Sequence, residues 1–200
     1  PSIKNIYERM KSEQPELLDN IVTPEAALEM ADENSLLILV DNHKPSFTEE
    51  PELLDIINKV VVIDHHRRGV EFINAPVLIY LEPYASSTCE LVTEVLSYMS
   101  EKTNLTKFEA EALLAGIALD TKNFSYQTGV RTFEAASVLK RAGADTTVVR
   151  QLFRDDYNTF LYKAEIIKSS KIVFDKIIIG RLEREMEDSL LIAAQAANEL

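Results

Sequence analysis

The chain has 200 residues, of which 46% are hydrophobic, and this suits a globular protein of one domain, or one domain and part of another. Its formal net charge of −12 argues against a protein that binds long nucleic acid, because such proteins gather Lys and Arg against the phosphates. No stretch approaches the roughly 20 apolar residues of a membrane span, and nothing resembles a signal peptide, so we expect no membrane contact by this chain. The single cysteine fits a reducing compartment, and we therefore expect a cytoplasmic location.

The first elements predicted along the chain are helices that carry no catalytic residue types. Apolar residues at helical spacing predict an amphipathic helix over 2–13. Thr23 before Pro24 predicts a short helix to about Ala31, because Thr caps a helix and Pro suits its first position. We interpret both helices as scaffold.

Two apolar runs then predict parallel strands that end in polar side chains. The run 36–40 precedes Asp41, and the run 60–63 precedes Asp64-His65-His66. The second run has four β-branched residues without alternation, which predicts burial on both faces of a sheet. Residues 48–59 can form one crossover helix, and a right-handed βαβ unit would bring the carboxyl ends of both strands to one edge.

The polar residues at that edge have two interpretations. Taken singly, Asp64 or either histidine could cap a helix or hydrogen-bond a loop. Three ligand-type residues in succession after a buried strand are costly to desolvate unless something satisfies them, which favours a divalent metal. His43 is interpreted as a loop residue rather than a ligand, and Lys44 as a solvated side chain that could contact a phosphate.

Arg67 and Arg68 follow the histidines directly. The planar guanidinium offers paired donors that suit phosphate recognition, although in an acidic chain either residue could pair with a surface carboxylate. We expect one of the two to face a substrate.

After a strand predicted over 77–81, three hydroxyl residues open a helix: Ser86, Ser87 and Thr88. Ser87 with Glu90 fits a capping box, which would be a structural role. The free amides of a helix N-terminus are also a good phosphate site, so these residues could orient a substrate or support metal ligands.

The C-terminal half is predicted to be mostly helical. Asp120 ends an Ala- and Leu-rich helix, and by residue type it could be a metal ligand or the cap of the next turn. Further helices follow Arg131, and the chain ends with a predicted hairpin over 172–180 and a helix over 189–200.

Three motifs together resemble the DHH phosphoesterases: Val61–Gly69 around Asp64-His65-His66, Glu82–Thr88, and Leu119–Phe124. This is a family of metal-dependent hydrolases that includes exonucleases, oligoribonucleases, pyrophosphatases and cyclic dinucleotide phosphodiesterases. The similarity points to the GdpP-type branch, whose members are membrane-anchored bacterial enzymes that linearise cyclic-di-AMP.

The resemblance implies an α/β fold with a DHH-type domain over 1–155, in which helices flank a parallel sheet. It also implies a linker helix over 156–170 and the start of a second α/β domain, named DHHA1, over 171–200. The family's first motif, a His followed by two spaced Asp, is absent before Leu36. We therefore expect this chain to be an incomplete and inactive piece of a larger enzyme.

The resemblance also implies roles for the polar residues around a pair of Mn²⁺ ions. Asp41 matches the carboxylate shared by the ions, and His65 and Asp120 match ligands of one ion. Asp64 would orient a histidine, and His66 would stabilise charge on the scissile phosphate, so these two are the catalytic candidates. The candidates for substrate binding are Arg67, Arg68, Ser86, Ser87 and Thr88.

The implied activity is hydrolysis of cyclic-di-AMP to linear pApA. A cyclic dinucleotide is therefore the expected partner, with a second copy of the chain as a further option, and the parent protein is expected to be membrane-anchored. Two alternatives stay open: an oligoribonuclease acting on short linear RNA, and a catalytically incomplete nucleotide-binding or dimerisation module.

Overall fold

The computed structural model describes residues 2–99, 105–183 and 189–200. Within these ranges the chain forms two compact units, Ser2–Leu152 and Phe153–Leu200, each with a core of its own. Both units combine helices with strands, which confirms the predicted α/β class. The predicted domain limits at residues 155 and 170 stay predictions.

The first unit contains seven α-helices and three strands among its described residues. In chain order these are α1 (Ser2–Glu13), α2 (Pro24–Met30), β1 (Leu36–Val40), α3 (Leu53–Ile56), β2 (Lys59–Asp64), β3 (Leu78–Leu81), α4 (Thr88–Met99), α5 (Lys107–Asp120), α6 (Val130–Arg141) and α7 (Thr146–Leu152). Short 3-10 turns lie at Pro15–Asn20 and Pro45–Phe47.

The three strands form a parallel sheet in the order β1-β2-β3. Val40 of β1 pairs with Ile63 of β2, and Asp64 pairs with Leu81 of β3. All three strands therefore end at the same edge of the sheet, as the βαβ argument predicted.

Strand β2 is buried on both faces, as its β-branched run predicted. Val60 and Val62 pack in one apolar cluster, and Ile63 packs in another with Ala85 and Leu91. Strand β1 differs from this pattern, because alternate side chains of its equally apolar run are more than half exposed in the structure.

Helices α4 and α5 pack together and carry two residues of the candidate site at their ends. Helix α5 begins with a capping box between Thr106 and Glu109. The two helices approach closely at Gly116, where an added Cβ would collide with Cys89 Sγ. A glycine is required there because the sulfur occupies the space of a side chain.

The second unit consists of α8 (Tyr157–Ser169), an antiparallel hairpin of β4 (Lys171–Val173) and β5 (Ile177–Ile179), and α9 (Ser189–Glu199). Its core contains Ile166, Ile192 and Ala196. The hairpin and the last helix lie where the sequence predicted them. Across the described ranges, no helix combines the length and apolar character that crossing a bilayer requires.

Candidate metal centre

The candidate site lies at the edge of the sheet where the parallel strands end. The backbone amide of Asp41 donates to the carbonyl of Ile63 at 3.0 Å, so the residue after β1 is fixed beside the end of β2. Asp64 is the last residue of β2, and His65 and His66 follow it. The predicted convergence of these side chains on one edge is therefore observed.

Asp41, His65 and His66 form a group whose potential ligand atoms lie within 4.8 Å of one another. His65 Nε2 is 3.6 Å and His66 Nδ1 is 3.8 Å from Asp41 Oδ1. These separations are too long for hydrogen bonds, so the three side chains lie close together without hydrogen-bonding one another.

Asp120, the last residue of α5, lies beside this group. Its Oδ2 atom lies 3.7 Å from His65 Nε2. Partial burial raises the pKa of Asp120 above its usual range, and the negative charge of Asp41 adds to this effect against the opposing influence of His65. A cation between the two carboxylates would relieve their repulsion.

The donor chemistry of this set fits a divalent metal. Carboxylate oxygens and imidazole nitrogens together suit Mn²⁺, and also other first-row ions such as Zn²⁺. The three predicted ligands, Asp41, His65 and Asp120, lie together, and His66 is a further potential donor.

The two ligand candidates on the strand ends are held by hydrogen bonds behind them. The hydroxyl of Thr88 donates to Asp41 Oδ1 at 2.7 Å. His65 Nδ1 lies 3.4 Å from the carbonyl of Ala85, which places the proton on Nδ1 and leaves Nε2 free to bind a metal. The backbone of Asp41 itself is left-handed, with φ of 61°.

Asp64 is fully buried and hydrogen-bonded to a histidine, whereas its predicted role in catalysis stays a prediction. Its Oδ1 atom accepts the backbone amide of His66 at 3.1 Å and lies 2.8 Å from His66 Nδ1. Its Oδ2 atom lies 2.5 Å from Nδ1 of His43. Burial raises the pKa of Asp64, but the hydrogen bonds from His43 and His66 outweigh it and bring the pKa below its usual range.

His43 is the site residue that the sequence did not reveal. We predicted a loop residue rather than a ligand, and His43 does lie in the loop after β1, but its ring is in the interior, 2% exposed and stacked on Phe72. Gly69 N donates to His43 Nε2 at 3.4 Å, so the Nδ1 atom carries the proton that Asp64 accepts. Its only sequence signal was its position two residues after Asp41.

The two arginines have different surroundings. Arg67 lines a crevice that also contains Asp41 and His66. The guanidinium of Arg68 lies 4.2 Å from the centre of the Phe72 ring. Arg67 is therefore the better placed of the two for a substrate, and the substrate-binding role of both stays a prediction.

The predicted serines are buried and already hydrogen-bonded. Ser86 donates its amide and hydroxyl to Glu90 Oε2, and the amide of Glu90 donates to Ser87 Oγ at 3.1 Å. The capping box thus exists in altered form, since the Glu90 carboxylate bonds Ser86 instead of the Ser87 amide. Thr88 supports Asp41, whereas a substrate contact of Ser86 or Ser87 stays a prediction.

Comparison with known proteins gives the family. The sequence model described as "DHH family, N-terminal domain" matches residues 2–117, more than half of the chain. The chain is 48% identical over 198 residues to "Cyclic-di-AMP phosphodiesterase PdeA" of Listeria monocytogenes, covering 99% of this chain and 30% of that protein. It is also 48% identical over 188 residues to "Cyclic-di-AMP phosphodiesterase GdpP" of Bacillus subtilis, covering 92% and 28% respectively.

The chain thus spans less than a third of the length of the curated relatives it matches. Among solved structures, an exopolyphosphatase-related protein from Bacteroides fragilis has the same fold, with a TM-score of 0.68 and 19% identity over 82% of this chain and 50% of that one. The predicted resemblance is confirmed by the family match and by the identity to these relatives. This chain belongs to the DHH family.

Proposed function

We propose that the protein carrying this chain hydrolyses cyclic-di-AMP to linear pApA, and that it does so with Mn²⁺ bound at the edge of the sheet. The observation that supports this most directly is the group of Asp41, His65 and His66, with Asp120 beside it, in a DHH chain. The proposed substrate is taken from the names of two relatives that are 48% identical to this chain, both cyclic-di-AMP phosphodiesterases.

Asp41, His65 and Asp120 are the residues that would hold the metal. When bound, a divalent ion polarises phosphoryl oxygens and lowers the pKa of a bound water so that it can attack phosphorus. Thr88 and the Ala85 carbonyl keep the ligand atoms in place without the ion. These donors suffice for one ion, and a pair of ions would need donors in addition to them.

His66 would contact the scissile phosphate. Its side chain is more than half exposed, and its Nδ1 atom is hydrogen-bonded to the buried Asp64. The Nε2 atom is therefore the one that can reach a phosphate oxygen, where a proton would stabilise the developing charge. Arg67, exposed in the same crevice, would supply a second positive group to the phosphates.

The substrate is expected to be compact. The net charge of −12 opposes a long polyanion, whereas a metal centre and one or two local cations can offset that field for a small one. We also propose that this part of the protein works in the cytoplasm, where its single cysteine, a free thiol, would stay reduced.

The test is hydrolysis of cyclic-di-AMP and pApA, measured side by side with and without Mn²⁺ in the protein that carries this chain. Faster cleavage of the cyclic substrate, lost in an Asp120→Asn variant that still folds, is the expected result. Faster cleavage of pApA would assign the protein to the oligonucleotidases. If neither substrate is cleaved, the proposal is wrong and a nucleotide-binding module is the better interpretation.

A further inference from the structure

A crevice of about 300 Å³ opens directly beside the candidate metal centre. It is lined by eight residues of the described chain: Asp41, Asn42, His43, Lys44, Phe47, Asp64, His66 and Arg67. This volume lies at the lower end of the range for small-molecule sites, so the crevice suits one planar group rather than a whole dinucleotide.

Phe47 is the unusual member of this lining. Its ring is 72% exposed, although a phenyl side chain gains most from burial. The ring is not part of the apolar clusters of the sheet, and its described partner is a cation: Lys44 Nζ lies 4.7 Å from the ring centre. A crevice that contains an aromatic face and two cations, Lys44 and Arg67, has the chemistry that a nucleotide requires, since bases stack on aromatic rings and phosphates bind cations.

The turn that carries Phe47 is held firmly at both ends. Ser46 donates its amide and its hydroxyl to the two oxygens of Glu71, each at 2.7 Å. The side chain of Asn42 accepts the amide of Lys44 at 2.9 Å and donates to Thr48 Oγ1 at 3.2 Å. The ring is thus presented by an ordered turn, which lowers the entropy cost of binding to it.

We propose that Phe47 is the stacking platform for one nucleobase of the substrate, with Lys44 and Arg67 contacting the adjoining phosphates. This subsite deepens the proposed function, because it places a base beside Asp41 and His66 and favours nucleotides over simple phosphate esters. A single exposed ring stacks on any base, so it contributes affinity more than selectivity among bases.

The chain contains no tryptophan, so a Phe47→Trp variant places a single indole, which can be excited selectively over tyrosine, at the subsite. We expect AMP and cyclic-di-AMP to quench its emission, because a stacked base quenches indole fluorescence, and ribose 5-phosphate to leave it unchanged. A Tyr98→Trp variant is the matched control, since Tyr98 is 90% exposed on α4 and lines a different groove. Emission unchanged up to millimolar cyclic-di-AMP, equal quenching by ribose 5-phosphate, or equal quenching of the control would each overturn the proposal.

Kinetics provide an independent measurement in the protein that carries the chain. Losing one stacked base should raise KM for cyclic-di-AMP by roughly 5- to 30-fold in Phe47→Ala and in Phe47→Leu, with kcat little changed, while Phe47→Trp stays near wild type. An unchanged KM in Phe47→Ala would contradict the subsite. Base-dependent quenching without any hydrolysis by the wild type would keep the subsite and reject the proposed function.

Discussion

Both carboxylate oxygens of Asp64 form hydrogen bonds, and one of these bonds is to His43. One oxygen holds His66 at the mouth of the site, and the other accepts from His43 in the interior. A carboxylate with no exposed surface must have its hydrogen bonds satisfied by protein groups, since it cannot turn to water. We therefore expect His43 to act on the site through Asp64.

Replacing His43 separates this role from simple packing. We expect His43→Leu to lose about 2–3 kcal/mol of unfolding free energy, because a buried carboxylate loses a charged hydrogen bond. His43→Asn should lose less, since its amide can donate from a position close to that of Nδ1. Urea unfolding measures the stability, and kcat at saturating metal measures the orientation of His66. Equal kcat in folded His43→Leu and wild type would show that His43 does not act through Asp64.

Some residues of the candidate site could be predicted from the sequence and others could not. Asp41, Asp64 and His65 were predictable, because each follows or ends an apolar run whose strand character is evident. His43 was missed because its partner lies 21 residues away and no periodicity connects the two. The separate surroundings of Arg67 and Arg68 were likewise unpredictable, since they depend on where the Phe72 ring packs.

At the scale of the elements, Gly116 sets the distance between α4 and α5. We expect Gly116→Ala to reduce the unfolding free energy by about 1–2 kcal/mol, because its Cβ would collide with Cys89 Sγ. The double variant Cys89→Ala/Gly116→Ala should recover most of this loss, since removing the sulfur leaves the closest contact at 3.2 Å. A double-mutant cycle from urea unfolding checks this. Additive single effects would mean that the sulfur is not the obstacle.

Arg131 connects three elements, β3, α4 and α6, by an ion pair and a hydrogen bond. Arg131 of α6 donates to both oxygens of Glu94 of α4, at 2.8 and 2.6 Å, and to the hydroxyl of Tyr80 of β3 at 2.8 Å. The hydrogen bonds from Arg131 lower the pKa of Glu94 against the effect of its burial.

This pKa shift has a defined consequence for stability. A carboxyl group with a lowered folded pKa stabilises the protein above its unfolded pKa, about 4.3, and loses that contribution as the pH falls through the folded pKa. At pH 7 we expect Glu94→Gln to cost about 1 kcal/mol, since Arg131 is partly exposed to screening solvent. The difference from wild type should shrink in unfolding curves measured at successively lower pH. A difference independent of pH would contradict the charged pair.

For the whole molecule, the two units should respond differently to metal. The ligand candidates all lie within Ser2–Leu152, so binding should stabilise that unit by about 2.7 kcal/mol at a hundredfold excess of Mn²⁺ over Kd. Hydrogen exchange with and without Mn²⁺ should show added protection in β1, β2 and the end of α5, and none specific to α8 and α9. Chelation should reverse it, and Asp120→Asn should weaken it. Equal protection of both units would place the metal elsewhere.

At this scale the sequence predicted the order of the elements well. The strands, the hairpin and the final helix lie where their apolar patterns and turn residues predicted them, because local propensity and burial agree there. The exposed face of β1 could not be predicted, since a run of five apolar residues gives no sign of which side a neighbour will cover.

The left-handed backbone of Asp41 determines which substitutions can isolate its role. Among the residues other than glycine, Asp and Asn tolerate positive φ best, and a β-branched side chain tolerates it poorly. Asp41→Asn therefore changes the charge alone, whereas Asp41→Val would also strain the turn at the end of β1. Loss of activity in Asp41→Val could result from backbone strain as well as from the lost metal ligand. Only Asp41→Asn tests the contribution of the carboxylate charge by itself.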